Sequence, residues 1–283
     1  MAGSTATVQT RDVALTDAVS VGTLHETLVP VGVWELEGDG EQASMAAGGA
    51  LDLGGMLLFD GYSSEADLQV SIAEGSLAFD PTVQLDLEIE SGELRQFVFV
   101  VSGPLALDLA AEVALDLKYS YTTEVLLASF RQPVTASIGQ LPVVGEIVVT
   151  LRGGFELVAA SGGEFSEHVR VSSHVRAGAA YDGSGWSSIW SVEPETTVVD
   201  DPSWEFDDDA SLRLWIIPEI TLELYGVDGP RVALEPFLDA SLTGVAPPLW
   251  TLASGLSGEV EVPVQLLDPS LTDFSESMPA EGI

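Results

Sequence analysis

A chain of 283 residues with 46% hydrophobic content can bury a large core, as one big domain or two smaller ones. Its 45 acidic residues against 9 basic ones give a formal net charge of −36, a surface that repels nucleic-acid backbones and anionic membranes. With no cysteine there are no disulfides, no thiolate nucleophile and no cysteine-type zinc site.

Residues 1–50 read as an N-terminal arm and first strands. The opening MAGSTATVQTRD lacks the basic and apolar regions of a Sec signal, so the expectation is a chain made without one, or one whose signal lies outside these residues. No apolar run reaches the roughly 18 residues of a membrane span. The acidic stretch Glu37-Gly38-Asp39-Gly40-Glu41 lacks the spacing of a D-x-D-x-D-G calcium loop.

From Leu51 onward, period-two alternation recurs almost everywhere and sustained i, i+3, i+4, i+7 spacing is absent. The expected fold is all-β, an antiparallel β-sandwich of jelly-roll-like kind, as one elongated or two related domains. Residues 51–160 form the first sandwich unit in this reading, 161–268 the second and 269–283 a C-terminal tail, with a break near Ala160-Ser161-Gly162-Gly163. The longest alternation follows Gly103-Pro104: Leu105, Leu107, Leu109, Ala111, Val113, Leu115, Leu117, Tyr119 and Tyr121 share one face, and Asp108, Glu112, Asp116 and Lys118 the other. Residues 105–121 are either one long strand or two strands bent at Ala110-Ala111. Pro81-Thr-Val-Gln-Leu-Asp-Leu87 matches Pro218-Glu-Ile-Thr-Leu-Glu-Leu224, and a Gly-Pro follows each, an internal repeat that chance alternation would also produce.

HVRVSSH places His168 and His174 on one strand face about 20 Å apart, too far to share a metal, with Arg170 and Arg176 completing a basic stripe opposite Val169, Val171 and Val175. GWSSIW sets Trp186 and Trp190 on one face about 13 Å apart. These two and Trp204 are the candidate glycan-binding residues, with core packing as the competing fate. Asp207, Asp208 and Asp209 are the candidate metal ligands. Calcium is the one cofactor the composition leaves open.

The stretch Leu212–Leu242 reads as a hairpin, its turn placed at Gly226-Val227-Asp228-Gly229-Pro230. Its P-x-I-x-L-x-L-Y-G-V-x-G-P pattern resembles strands of uncharacterised β-rich bacterial and archaeal surface proteins. The resemblance covers this short stretch alone and carries no active site.

The acids have two competing explanations, calcium binding in loops and solubility in concentrated salt, where the Debye length falls to about 3 Å at 1 M. Acids dispersed at alternating strand positions, such as Asp86, Glu88 and Glu90, favour salt. Three histidines, no G-x-S-x-G elbow and no glycine-rich nucleotide loop leave no catalytic set, and 45 acids make any carboxylate pair uninformative. The expected function is that of a non-enzymatic structural protein of a halophilic extracellular assembly: a virion capsid, turret or spike component, or a cell-surface filament subunit. Its partners would be copies of itself or other assembly proteins. A carbohydrate-binding or adhesive module is the alternative, and a carbohydrate-active enzyme comes third.

Overall fold

A computed structural model describes residues 14–30, 32–36, 42–45, 50–62, 67–199, 203–206, 208–243 and 249–282. A helical turn, α1 (Leu15–Ala18), is followed by β1 (Val21–Leu28), β2 (Gly32–Leu36), β3 (Gln42–Met45), β4 (Ala50–Asp52), β5 (Leu57–Tyr62), β6 (Asp67–Phe79), β7 (Thr82–Glu90), β8 (Glu93–Leu115) and β9 (Tyr119–Ile138). Then come β10 (Leu141–Ala159), β11 (Gly163–Tyr181), β12 (Trp186–Ser191), β13 (Glu195–Val198), β14 (Ser203–Trp204), β15 (Ala210–Leu224), β16 (Val227–Thr243), β17 (Leu249–Val262), a 3-10 turn at Val264–Leu266, and β18 (Phe274–Gly282). No helix among the described residues is long and apolar enough to cross a membrane.

The strands form two antiparallel sheets packed face to face, an all-β sandwich. The first sheet runs β1-β7-β8-β11-β12; β6 also pairs β8 and carries β4 and β5, while β13 and β14 pair β11. The second runs β18-β17-β16-β15-β10-β9-β2-β3. Two lateral sides result. On one, β5 meets β9 through Phe59 and Tyr121, ring centroids 4.5 Å apart. On the other, β12 meets β18 through Trp186 and Phe274, and β13 meets β17 through a 2.8 Å hydrogen bond from Ser254 Oγ to Thr196 Oγ1.

Alternation builds the core. Leu105, Leu107, Leu109, Ala111, Val113 and Leu115 all face the second sheet and are at most 5% exposed. Burial of such side chains stabilises by about 1.5–3 kcal/mol each relative to leaving them in water. The element is one long strand that begins earlier than the alternation suggested and ends at Leu115; Tyr119 and Tyr121 belong to β9, in the other sheet. β8 reaches 23 residues because it serves two partners in succession along one edge, β7 up to Ser102 and β6 from Leu105. Pro104 lies at that hand-over. Its carbonyl accepts from the Asp80 amide, and the N–H that proline lacks falls where one partner ends and the next begins. The expected bend at Ala110-Ala111 takes another form: the partner β6 inserts Ala73 as an extra residue opposite them.

The hairpin of residues 212–242 is present, but its turn is Tyr225-Gly226, with Leu224 facing Val227. Both turn residues have positive φ, 54° and 79°, the type I′ geometry whose twist matches the flanking strands. Gly229 and Pro230 are not the turn. They lie opposite Leu222 in a bulge of β16, where a Cβ on Gly229 would collide with the Leu222 carbonyl oxygen. Of the two repeat segments, Pro81–Leu87 leads into and fills most of β7 in the first sheet, and Pro218–Leu224 lies in β15 in the second. The β7–β8 hairpin also closes through a two-residue turn of positive φ, Ser91-Gly92.

Both sheets draw on residues from either side of position 160. β8 pairs β11 from Gly163↔Leu115 to Tyr181↔Phe97, and β10 pairs β15 from Ala159↔Ala210 to Gly145↔Leu224. One continuous cluster of buried side chains, from Leu15 to Met278, fills the space between the sheets.

Candidate functional site: the ion-paired outer faces

The solvent side of the second sheet carries its polar residues at the positions that alternate with the core. On five adjacent strands they form a row of alternating charge. Glu259 and Glu261 on β17 lie 3.1 and 2.9 Å from Arg231 on β16, and Arg231 lies 2.7 Å from Glu219 on β15. Glu219 Oε2 also accepts from Arg152 on β10 at 2.7 Å, and Arg152 reaches Glu124 on β9 at 3.2 Å. Glu219, 13% exposed, is thus shared by two guanidinium groups. Burial works against the charge of Arg231, but Glu219, Glu261 and Glu259 outweigh it and raise the guanidinium pKa.

Beside this row, Arg131 bridges Glu223 at 2.9 Å and Glu146 at 3.1 Å, and Arg213 bonds Glu235 at 2.7 Å. The Arg213 guanidinium also stands 4.5 Å from the centre of the Phe237 ring, a cation–π contact. Asp239 lies 3.4 Å from Arg213; its own desolvation is the larger influence and, with Glu235 and Glu156 nearby, pushes its carboxyl above the ordinary value. Among the described residues, four arginines therefore meet eight carboxylates on this face. The pairs tie neighbouring strands together and leave carboxylates in surplus over guanidinium groups on this face.

Within the same face Trp215 lies flat across Gly154 on the adjacent strand. Nε1, Cε2 and Cζ2 are nearly equidistant from the place a Cβ would take on residue 154, so one face of the indole rests on the glycine, and Nε1 donates to Glu124 at 3.2 Å. Trp215 faces Phe237 across the β15–β16 ladder, and Phe237 in turn faces Gly255.

The first sheet repeats the pattern more sparsely. Asp108 on β8 accepts from His168 Nε2 at 2.6 Å and from Arg170 at 2.5 and 3.0 Å, both on β11. Desolvation opposes ionisation of Asp108, but the bonds from Arg170 and His168 outweigh it and hold its carboxyl below the usual range. The basic stripe therefore meets an acid at its centre, while His174 and Arg176 are exposed and Val169, Val171 and Val175 face the core. An open groove of about 520 Å³ at one end of this sheet is lined by the carboxylates of Asp60, Asp67, Asp116, Glu164 and Glu205. Another, of about 630 Å³ on the second sheet, is lined by Glu219, Glu223, Asp228, Arg231, Glu261 and Asp273. Among the described residues no three histidine, aspartate or glutamate side chains converge as a metal would need.

Trp186 and Trp190 pack against the core cluster rather than lying on the outer face. The Trp186 ring stacks on Phe274 at 5.6 Å and 18° and touches Tyr181 and Phe97. The Trp190 ring approaches Gly258 of β17, and neither Nε1 is solvent-accessible. Trp204 pairs in register with Phe165, and its side chain lies outside the described residues. Asp207 and the stretch Glu37–Glu41 also lie outside the described residues. Asp208 and Asp209 are exposed in the loop that closes onto Ala160 and Ser161, through Ala160 N to Asp209 O at 2.9 Å and Asp208 N to Ser161 Oγ at 3.3 Å. The flat-lying aromatic that the sequence did not single out is Trp215. Its place on the wet face was readable from alternation with Leu214 and Ile216.

Comparison of the chain with protein-family models, with curated proteins and with solved structures returns no match.

Proposed function

We propose that this chain is a non-enzymatic structural protein of a salt-adapted extracellular assembly, such as a virion capsid, turret or spike component or a cell-surface filament subunit. The observation that carries the reading is the use of the outer faces: acids at alternating strand positions, with arginines spent on cross-strand ion pairs that leave a carboxylate surplus. Such a surface stays hydrated in concentrated salt and repels its own copies in dilute salt. Sheet edges on a sandwich with one continuous core suit a building block.

Electron microscopy of the purified chain in molar NaCl tests this reading. Regular filaments, rings or shells support it. Dispersed single particles at every protein concentration contradict it.

A second reading, a carbohydrate-binding or adhesive module, is favoured by Trp215. An indole lying flat on an outer face, beside an arginine and several carboxylates, offers a sugar ring an apolar surface with hydrogen-bonding groups around it. Quenching of tryptophan fluorescence by a polysaccharide, lost in Trp215→Ala, would support it.

A further inference from the structure

We infer that the edge of β9 from Tyr119 to Val125, which no described strand pairs, is the contact through which a second copy of this chain adds to the second sheet; the inference rests on the assembly reading above. β10 pairs β9 along its whole length on one side. On the other side, among the described residues, β2 pairs only Ala128 and Ser129. Among the described residues, Tyr119 to Val125 therefore have no second strand beside their backbone donors and acceptors, the arrangement that recruits another strand.

Two further observations select this edge and this occupant. The first is burial. Leu157 and Phe155 on β10 are at most 2% exposed, yet the residues of β9 opposite them, Tyr121 and Thr123, are only half-buried, as are Tyr119 and Val125. The Tyr121 ring lies 4.5 Å from Phe59 and 5.9 Å from Tyr119, and with Val125 these form an apolar seam along this lateral side. The second is charge. From Leu117 to Ile138 the charged residues are Lys118, Glu124 and Arg131, two cations and one anion, in a chain whose total is −36. Copies so strongly anionic meet most readily where acids are sparse. The opposite lateral edge, β18, carries Glu276, Glu281 and a proline, which blunt it.

The register can be stated. Residues opposite each other in an antiparallel pair share a face, so a two-fold axis through Thr122 sets Ser120 opposite Glu124 and Tyr121 opposite Thr123. No carboxylate then faces a carboxylate.

The test is the light-scattering mass in molar NaCl of the wild type and two variants carrying equal added charge. S120E/T122E changes exposed positions on β9. In the stated register it sets the new carboxylate at position 122 against its own copy, and the one at position 120 against Glu124. S187E/T197E adds the same charge to exposed positions on β12 and β13, on the other lateral side. The expected result is a wild-type mass of at least twice the 29.8 kDa chain, a return to 29.8 kDa in S120E/T122E, and an unchanged assembly in S187E/T197E, with circular dichroism alike in all three. If S120E/T122E assembles like the wild type, or both variants dissociate equally, the β9 contact is overturned while the assembly reading stands. A wild type that is monomeric in molar NaCl overturns both. With no cysteine in the chain, a single spin label at Ser120→Cys gives a second readout: a short interspin distance in the assembly, or none if the edge is not the contact.

Discussion

Trp215 lies across Gly154 with its Cε2, Cζ2 and Nε1 atoms 2.5–2.6 Å from the position a Cβ on residue 154 would occupy. Glycine is required there because the side chain of the neighbouring strand uses the space above it, and the aromatic ring in return covers backbone that glycine leaves bare. Gly154→Ala should lift the indole, break its 3.2 Å bond to Glu124 and cost about 1–3 kcal/mol as an overpacked site. A red-shifted tryptophan emission with a lower melting temperature would show this, and unchanged emission would show that the ring does not lie there.

Glu219 is the hinge of the charge row, since it holds both Arg152 and Arg231. Glu219→Gln keeps the shape and removes the charge between two half-buried guanidinium groups. The expected loss is about 1–2 kcal/mol, above the usual worth of an exposed pair because two partners lose their counter-charge together. Glu276→Gln, on an exposed edge strand, should cost nothing measurable, and urea melts of the two variants compare them directly.

Asp108 and Asp239 should respond to pH with opposite signs. The folded-state pKa of Asp108 is lowered, so its stabilising contribution is present above the unfolded value of about 3.9 and is lost as pH falls through the folded one. Asp239 has a raised pKa, so its ionised form costs stability at neutral pH, and that cost disappears as pH falls through the raised value. Asp108→Asn should therefore lower the melting temperature at pH 7, whereas Asp239→Asn should raise it or leave it unchanged. Both differences should shrink at acid pH, where the two carboxyls are protonated in the folded and unfolded chain alike.

The melting temperature of the wild type should fall as NaCl is withdrawn from molar to millimolar concentration, because the −36 charge is then unscreened. A calorimetric series over that range checks it. A melting temperature independent of salt would mean that the acids are not a salt adaptation.

The sandwich was legible because alternation is a local property: Leu105 through Leu115 announced a buried face in their own order of residues. What alternation does not contain is register and direction. Trp186 and Trp190 were expected on one face of a strand, but only Ser188 lies between them on that face, so nothing local said that they pack towards Phe274 from a strand far along the chain. Trp215 was readable as outward, yet its seat on Gly154 depends on a β10–β15 pairing between residues 61 positions apart. The turn of the β15–β16 hairpin went to Tyr225-Gly226 because Gly229-Pro230 could form the bulge, and Gly226 supplied the positive φ that the turn needed. The charge row is a long-range object in the same sense. Each arginine was visible singly, while the sharing of Glu219 between Arg152 and Arg231 exists only once three strands are side by side.

The measurement that tests the whole account most directly is the light-scattering mass of the wild-type chain across a titration from millimolar to molar NaCl. The account predicts 29.8 kDa particles in dilute salt, where the copies repel, and a defined multiple of that mass in molar salt, where they meet. A mass fixed at 29.8 kDa over the whole range would contradict it.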